Sequence, residues 1–173
     1  MNKVLVVVDM QKDFTYGALH NEDAIAVIPA VVEKVKNFEG KVIFTRDTHC
    51  ANYLETQEGR KLPVEHCIKE TDGWDIIDEL DEYTEGASIY NKATFGSLRL
   101  AQDLKALNEI DAIESVEVIG VCTDICVISN AMLIKAAMPE VTIKVDSSCC
   151  AGVTKESHDN ALKAMTAVQI EVY

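Results

Sequence analysis

Two cysteines four positions apart, Cys122 and Cys126, lie in the stretch "VIGVCTDICVISNAMLIKAAM" at 118–138 and could carry chemistry. They could be buried apolar residues, metal ligands, a redox pair or a catalytic nucleophile. Their spacing is a weak metal or redox signal, because such pairs are usually separated by two residues. If a strand ends near Val121 and a helix follows, Cys126 lies in the first helical turn. There the free backbone N–H groups and the helix dipole are expected to stabilise a thiolate and lower the pKa of the thiol.

Asp9 and Lys92 are the charged residues that could assist such a thiol. Asp9 ends a run of five apolar residues, where a carboxylate is costly unless it is paired. Lys92 follows a predicted strand in "YNKATFGS". A lysine ammonium can lower the pKa of a neighbouring thiol, and a carboxylate can accept and return a proton. Taken singly, Asp9 could instead be a helix N-cap or half of an ion pair, and Lys92 a solvated lysine.

Four further residues have the chemistry of a metal site. Asp47 and His49 stand two positions apart in "RDTH", so their side chains point the same way on an extended segment. Glu58 and His66 follow in "EGRKLPVEH". Two histidines and two carboxylates suit zinc, iron or manganese better than calcium. Solvated loop residues are one alternative, and a mixed cysteine and histidine zinc site is another, because a cysteine directly follows each histidine.

Alternating strands and helices must position these residues. Six short runs, several apolar on both faces, predict strands at 3–9, 41–47, 87–92, 115–121, 141–147 and 168–173. Helical periodicity predicts helices at 21–40, 96–109, 124–138 and 154–168. This alternation predicts an α/β fold with three layers, a mostly parallel six-stranded sheet with helices on both faces. We expect one domain spanning 1–173.

The carboxyl ends of parallel strands gather ligand-binding residues at one edge of the sheet. Asp9, Asp47 and Lys92 each end a predicted strand, and the stretch 118–138 begins within the fourth. The segment 48–71 is polar and lacks a sustained period. Loops of this length in a compact domain are usually functional or disordered, and its two histidines and two cysteines favour an ordered, functional loop.

Composition narrows the class of protein. The formal charge of −13 argues against nucleic-acid binding, which depends on Lys and Arg. We expect no membrane span and no signal peptide, and hence a cytoplasmic protein whose thiols stay reduced and whose partner is a small molecule. Most of its cysteines should then be buried apolar residues: Cys50, Cys67, Cys122, Cys126, Cys149 and Cys150.

Together, "VVVDMQKDF", a lysine after the middle strand and "GVCTDICV" at the start of a helix resemble the isochorismatase-like cysteine hydrolases. The nicotinamidases are the metal-dependent branch of that family, and the resemblance covers nearly the whole chain. It implies a catalytic triad of Asp9, Lys92 and Cys126. It also implies an oxyanion hole made by the backbone N–H groups of Cys122 and Cys126, with a cis peptide bond between Val121 and Cys122.

The same resemblance implies one divalent metal ion, zinc foremost, with iron or manganese as alternatives. Asp47, His49 and His66 correspond to metal ligands of nicotinamidases. Glu58 takes the fourth place, which varies within the family between His and Glu. Glu55 is the alternative for that place.

The resemblance places Phe14 as an aromatic residue that packs on the substrate ring. Some nicotinamidases have a tryptophan shortly before the last metal histidine, where this chain has Leu62 and Pro63. Trp74 comes after that histidine. Phe95, three residues after Lys92, is therefore the candidate for a second aromatic wall.

The function implied is a metal-dependent amidohydrolase, a nicotinamidase that hydrolyses nicotinamide to nicotinate and ammonia through a cysteine thioester. Such an enzyme would serve NAD salvage and pyridine nucleotide biosynthesis, and family members are often homo-oligomers. One alternative is another small-amide cysteine hydrolase of carbamoyl or ureide type on the same scaffold. Another is a non-enzymatic thiol or zinc sensor, with Cys149 and Cys150 as its redox pair. An isochorismatase proper is disfavoured, because vinyl-ether hydrolysis needs no cysteine nucleophile.

Overall fold

The computed structural model describes residues 2–173 and contains one six-stranded sheet. Its strands are β1 (Asn2–Val8), β2 (Lys41–Asp47), β3 (Ser88–Lys92), β4 (Ile113–Val121), β5 (Thr142–Ala151) and β6 (Glu171–Val172). Their spatial order is β3-β2-β1-β4-β5-β6, and every neighbouring pair is parallel. All six predicted strands are present, so the predicted α/β fold is confirmed. The sheet is parallel throughout, and the last strand is shorter than the run 168–173.

Eight α-helices accompany the sheet among residues 2–173. They are α1 (Lys12–Thr15), α2 (Glu22–Ala26), α3 (Ile28–Asn37), α4 (Gln57–Lys61), α5 (Asp81–Thr84), α6 (Leu98–Ile110), α7 (Ile128–Ala137) and α8 (Lys155–Ala167). The single helix predicted at 21–40 is wrong, because it divides into α2 and α3. Pro29 in the first turn of α3 has no N–H to donate to the preceding turn, which ends the earlier helix.

The helix predicted at 124–138 begins with a π-helical turn and not with an α-helical one. Residues Thr123–Val127 form a π-helical turn, and the regular helix α7 starts only at Ile128. The N–H groups of Ile125 and Val127 both donate to the carbonyl oxygen of Cys122, at 3.1 and 3.0 Å. Short π-helical segments are frequent at functional sites.

Helices cover both faces of the sheet. α6 packs against α7, and α7 against α8, as expected when right-handed crossovers carry these three helices to one face. α2 and α3 connect β1 to β2 on the other face. The central strand β1 is buried without interruption from Val4 to Val8, because it is covered on both sides. No helix between residues 2 and 173 has the length and apolar composition needed to cross a membrane.

The loop predicted at 48–71 is ordered by its own hydrogen bonds. It contains a short 3-10 helix, Tyr53–Glu55, followed by α4. Tyr53 is fully buried, and its hydroxyl donates to the carbonyl oxygen of Leu62 at 2.9 Å. The Thr56 side chain accepts the N–H of Gly59 and so caps α4. The loop returns to the end of β2, where the N–H of His49 donates to the carbonyl oxygen of Cys67 at 2.9 Å.

Gly120 lies in β4 beside β1, and these two neighbouring strands lead directly to Cys122 and Asp9. It pairs with Val8 of β1 and has a φ of +112°, a conformation that residues with side chains rarely adopt. A β-carbon at this position would collide with the backbone carbonyl of Val8. Strands β1 and β4 therefore approach each other closely just before Asp9 and Cys122.

Candidate active site

Four strand ends meet at one edge of the sheet, as predicted. Asp9 directly follows β1, Asp47 and Lys92 end β2 and β3 in direct register, and Cys122 directly follows β4. Between β1 and β4 the order of connections reverses, and ligands of open parallel sheets bind at such a switch point. The side chains of Asp9, Asp47 and Lys92 are almost completely buried.

Lys92 connects the other charged groups of this edge. Its Nζ lies 2.6 Å from Asp9 Oδ2, 3.4 Å from Asp47 Oδ1 and 3.4 Å from Cys126 Sγ. Burial alone would lower the pKa of Lys92, but Asp9, Cys126 and Asp47 together raise it above its ordinary value. The side chain is therefore a permanent ammonium beside the sulfur.

The Asp9 carboxylate is fully buried, and its two oxygens are used differently. Oδ1 accepts a hydrogen bond of 2.6 Å from the hydroxyl of Thr45. Oδ2 has the ion pair with Lys92 but no hydrogen bond of good geometry. Burial raises the pKa of Asp9, Lys92 opposes the shift and Asp47 adds to it, so that the pKa stays above its ordinary value. A carboxylate with a raised pKa is suited to take up a proton.

The Cys126 thiol differs from the expectation based on its helical position. The residue is 5% exposed, and burial, followed by the negative charge of Asp9, raises the pKa of its thiol well above the ordinary value. Lys92 opposes this shift without reversing it. The prediction of a lowered pKa was therefore wrong, because loss of hydration and the charge of Asp9 outweigh the effect of the Lys92 ammonium. Loss of hydration thus favours the protonated thiol, and a base that accepts its proton would make the sulfur a nucleophile.

The turn around Cys126 matches the expected backbone geometry. The peptide bond between Val121 and Cys122 is cis, as the resemblance implied. Among residues 2–173, no backbone acceptor outside the turn takes the N–H of Cys122 or of Cys126. Both N–H groups are thus candidate donors to an oxygen bound in front of the sulfur.

A compact cluster of potential metal ligands lies beside these residues. One ligand atom from each of Asp47, His49, Glu58 and His66 lies within 4.8 Å of all the others. Nε2 of His49 is 3.0 Å from Asp47 Oδ2 and 3.6 Å from Glu58 Oε1, and Nε2 of His66 is 3.7 and 3.8 Å from the same two oxygens. Tetrahedral zinc with bonds of about 2.0–2.1 Å needs ligand separations of about 3.4 Å, so the cluster fits a tetrahedral ion.

The fourth member of this cluster is Glu58 rather than Glu55. Glu58 lies in the first turn of α4 and turns its carboxylate toward both histidines. Glu55 is exposed in the preceding 3-10 helix. No cysteine joins the cluster within residues 2–173, which disfavours the mixed cysteine and histidine site.

Two residues that sequence reasoning missed hold the ligands in place. Gln11 accepts the N–H of Asp47 at 2.7 Å and donates to the carbonyl oxygen of Asp47 at 2.9 Å. Asp13 accepts the N–H of Cys67, next to His66, at 2.7 Å. A signal for both was present in "DMQKDF", where polar residues at alternate positions follow a fully apolar strand. Such supporting contacts fix the orientation of metal ligands.

His66 shows the same kind of support within its own segment. Its Nδ1 lies 2.8 Å from the carbonyl oxygen of Val64, and because a carbonyl can only accept, Nδ1 must carry the hydrogen. Nε2 is then the lone-pair nitrogen that faces the cluster. The ring of Phe14 packs on the ring of His66 with centroids 5.7 Å apart.

A cavity of about 780 Å³ opens above the sulfur and the cluster. Both predicted aromatic residues, Phe14 and Phe95, line it, together with Cys122, Cys126 and three of the four cluster residues. Leu62 lines it as well, and sequence reasoning missed its remaining apolar residues, Ala18, Leu19, Ile125 and Val153. They come from different segments of the chain.

Trp74 lies outside this cavity. Its ring packs under the guanidinium of Arg46, whose central carbon is 3.3 Å from the ring centre. Its indole N–H donates to the hydroxyl of Thr48 at 2.8 Å. Leu62, in the region where the sequence resemblance led us to look for a tryptophan, lines the cavity.

Comparisons with known proteins extend along the whole chain. A family model described as the isochorismatase domain matches residues 3–173. A nicotinamidase of Schizosaccharomyces pombe is 27% identical over 207 residues, which cover 97% of this chain and 91% of that protein. The crystal structure of a pyrazinamidase of Pyrococcus horikoshii in complex with zinc aligns with a TM-score of 0.81 and 26% identity, over 100% of this chain and 99% of that one.

A third similar protein has another substrate in its name. An N-carbamoylsarcosine amidase from Thermoplasma acidophilum aligns with a TM-score of 0.76 and 25% identity, covering 99% of this chain and 95% of that one. Both structures share the α/β fold of this chain. Proteins of this fold thus include amidases of two substrate types.

Proposed function

The chain belongs to the isochorismatase family and is an amidohydrolase of non-peptide C–N bonds, and we propose that it hydrolyses nicotinamide to nicotinate and ammonia through a thioester on Cys126. One observation carries the proposal: Cys126 and the ligand cluster line the same cavity. A ring that contacts the cluster can therefore present its carboxamide to the sulfur. Two phenylalanines on the cavity wall suit an aromatic ring.

The first chemical step is formation of the thioester. Asp9 takes the proton of the Cys126 thiol, for which its raised pKa is suited, and its Oδ2 has an ion pair with Lys92 but no hydrogen bond of good geometry. The ammonium of Lys92, 3.4 Å from the sulfur, stabilises the thiolate. The sulfur attacks the carboxamide carbon, and the resulting oxyanion accepts hydrogen bonds from the N–H groups of Cys122 and Cys126. The C–N bond then breaks as Asp9 returns the proton to the departing ammonia.

The second step is hydrolysis of the thioester. Asp9, again a carboxylate, takes a proton from water, and the hydroxide attacks the thioester carbonyl carbon. The C–S bond breaks, and the proton returns to the sulfur. Nicotinic acid leaves and ionises to nicotinate, its proton being taken up by the released ammonia, and Cys126 is again a thiol.

Asp47, His49, Glu58 and His66 would hold a divalent metal ion, for which their chemistry and separations are suited. Such an ion would supply a Lewis acid for a lone-pair donor of the substrate and would thereby help to orient the ring. Zinc is our first proposal for its identity.

Replacement of Glu58 by alanine is expected to remove most of the bound metal, because two carboxylates and two histidines share the ion. Metal content per chain after dialysis against zinc, measured by elemental mass spectrometry, should fall from about one ion to a small fraction. Nicotinamide hydrolysis should fall as well. Glu55→Ala is the matched control, since Glu55 lies three residues earlier and is exposed. Equal metal content in the two variants would contradict the proposed site.

A carbamoyl amidase is the second candidate, favoured by the similarity to the N-carbamoylsarcosine amidase. The charges of the cavity argue against substrates that carry a carboxylate. No lysine or arginine of residues 2–173 lines it, whereas Glu22, Asp47 and Glu58 do. A divalent ion would only balance the two carboxylates that hold it. Lys92, next to the sulfur, is already paired with Asp9 and Asp47. An anionic substrate would thus find no unpaired lysine or arginine, while neutral nicotinamide needs none.

We therefore expect the enzyme to discriminate by substrate charge. The kcat/KM for ammonia release should be at least about 100-fold lower for N-carbamoylglycine than for nicotinamide, since an unpaired charge in an apolar cavity costs several kcal/mol. N-ethylurea, neutral and of similar size, separates the effect of charge from that of the ureido group. Preference for N-carbamoylglycine over both neutral compounds would favour the carbamoyl amidase.

The test of the proposed function itself is ammonia release from nicotinamide by metal-stripped protein and by the same protein after zinc, manganese or iron is restored. Metal-dependent release is the expected result. Absence of release in every metal state, from folded protein, would contradict the nicotinamidase assignment. A sensor would also release no ammonia, and alkylation would then modify sulfurs other than Cys126 first.

A further inference from the structure

Asn130, in the first turn of α7, is a fully buried amide with three backbone partners. Its Nδ2 donates to the carbonyl oxygen of Cys126 at 2.8 Å and to that of Phe95 at 3.3 Å. Its Oδ1 accepts the N–H of Ser97 at 2.9 Å. The orientation of the amide is unambiguous, because carbonyl oxygens only accept and a backbone N–H only donates.

These bonds join two segments that come from opposite sides of the site. Cys126 carries the sulfur, whereas Phe95 belongs to the loop that follows Lys92 and forms a wall of the cavity. Gly96 brings this loop against α7 so closely that a β-carbon there would press on Leu133 and on the carbonyl of Ser129. The loop is therefore seated directly on the helix, with Asn130 as the hydrogen-bonding link between them.

We propose that Asn130 is a positioning residue that fixes the Phe95 wall relative to the sulfur and thereby sets the affinity for amides that carry a ring. This proposal rests on the proposed function, since it concerns the same cavity. Asn130 is not among the residues that line the cavity, so it acts through Phe95 and not by touching substrate.

The link should affect binding more than chemistry. Lys92 is held independently by the pairing of β3 with β2 and by its ion pairs with Asp9 and Asp47. The N–H groups near the sulfur belong to a turn closed by its own bonds to the Cys122 carbonyl. Loss of the link would free the loop that bears Phe95 and leave these groups in place.

Replacement of Asn130 by threonine is expected to keep the hydrogen bond to Cys126 and to remove those to Phe95 and Ser97. A threonine hydroxyl in a helix can still donate to the carbonyl four residues earlier, here that of Cys126. The threonine side chain is one covalent bond shorter than that of asparagine, so it cannot also form hydrogen bonds with Phe95 and Ser97. The KM for nicotinamide should rise about 3- to 10-fold, the range expected for one aromatic contact, with kcat nearly unchanged. Acetamide, which has no ring, should show no comparable change.

Asn108→Thr is the matched control. The Asn108 side chain accepts the N–H of Ile113 at 2.8 Å, in a connection that does not line the cavity. This variant also loses a hydrogen bond between a side-chain amide and the backbone, but its KM for nicotinamide should stay that of the wild type. Hydrogen exchange of residues 93–100 gives a readout independent of turnover, and it should accelerate in Asn130→Thr alone.

The outcomes are distinguishable. An unchanged KM, or an equal loss toward nicotinamide and acetamide, would overturn the proposal, because a purely structural role weakens both reactions alike. Unchanged exchange at 93–100 would also overturn it. If wild-type protein releases no ammonia from nicotinamide, the proposed function fails and with it the role in ring affinity, whereas accelerated exchange would still identify the link that Asn130 makes.

Discussion

Cys126→Ala should release no measurable ammonia from nicotinamide, while its fold and its metal content stay those of the wild type. The variant lacks the atom that forms the covalent bond, and loss of a hydrolase nucleophile costs about 10⁶-fold in kcat. The metal cluster uses no cysteine, so metal content should persist. The measurement is steady-state ammonia release, with circular dichroism and metal analysis on the same preparation.

Cys50→Ser provides the control for cysteine chemistry in general. Cys50 is exposed and is absent from the cavity, so this variant should keep wild-type turnover. Rapid acid quenching of wild-type protein with nicotinamide should also reveal a mass increase of one nicotinoyl group, which Cys126→Ala must lack. Turnover by Cys126→Ala within about 100-fold of the wild-type rate would refute the thioester route.

Asp9→Asn is expected to cause the second largest loss, about 10²- to 10⁴-fold in kcat, the usual contribution of a general acid–base group. The amide has the size of the carboxylate but accepts no proton, so the Cys126 thiol stays protonated. Because the pKa of Asp9 is raised, its carboxylate form prevails only above that raised pKa. In the wild type kcat/KM should thus fall as the pH decreases through the pKa of Asp9. The Asp9→Asn variant should not show this decrease.

Thr45→Val tests whether the charge or merely the packing of this position matters. The variant removes the 2.6 Å hydrogen bond to Asp9 Oδ1 but keeps the carboxylate. One such bond contributes about 0.5–1.5 kcal/mol, so the loss should stay within about tenfold. Activity of Asp9→Asn within tenfold of the wild type would exclude Asp9 as the proton acceptor.

The sequence predicted the positions of the reactive groups because strand ends are easy to recognise. Asp9, Asp47 and Lys92 each lie at the end of a predicted strand, and parallel strands bring such ends to one edge. The metal cluster followed from residue types that share ligand chemistry. Strand ends and the residue types of metal ligands are local properties, so they can be recognised from the order and spacing of residues in the sequence.

What the sequence did not predict depends on contacts between distant segments. The pKa of the Cys126 thiol is set by burial under other segments and by Asp9, and its helical position alone suggested the opposite direction. Gln11 accepts a hydrogen bond from the backbone of Asp47, and Asn130 accepts one from the backbone of Ser97, and both partners are distant in the sequence. The cavity walls are apolar residues indistinguishable from core residues until the chain is folded.

The close approach at Gly120 has a consequence for how this protein can vary. A residue with any side chain there would push β4 away from Val8, in addition to straining a φ of +112°. Asp9 and Cys122 follow the two strands directly, so the displacement would move Asp9 and the turn that bears the sulfur relative to each other. A mutational scan of the chain should thus find position 120 as intolerant as the reactive residues themselves, although it carries no functional group.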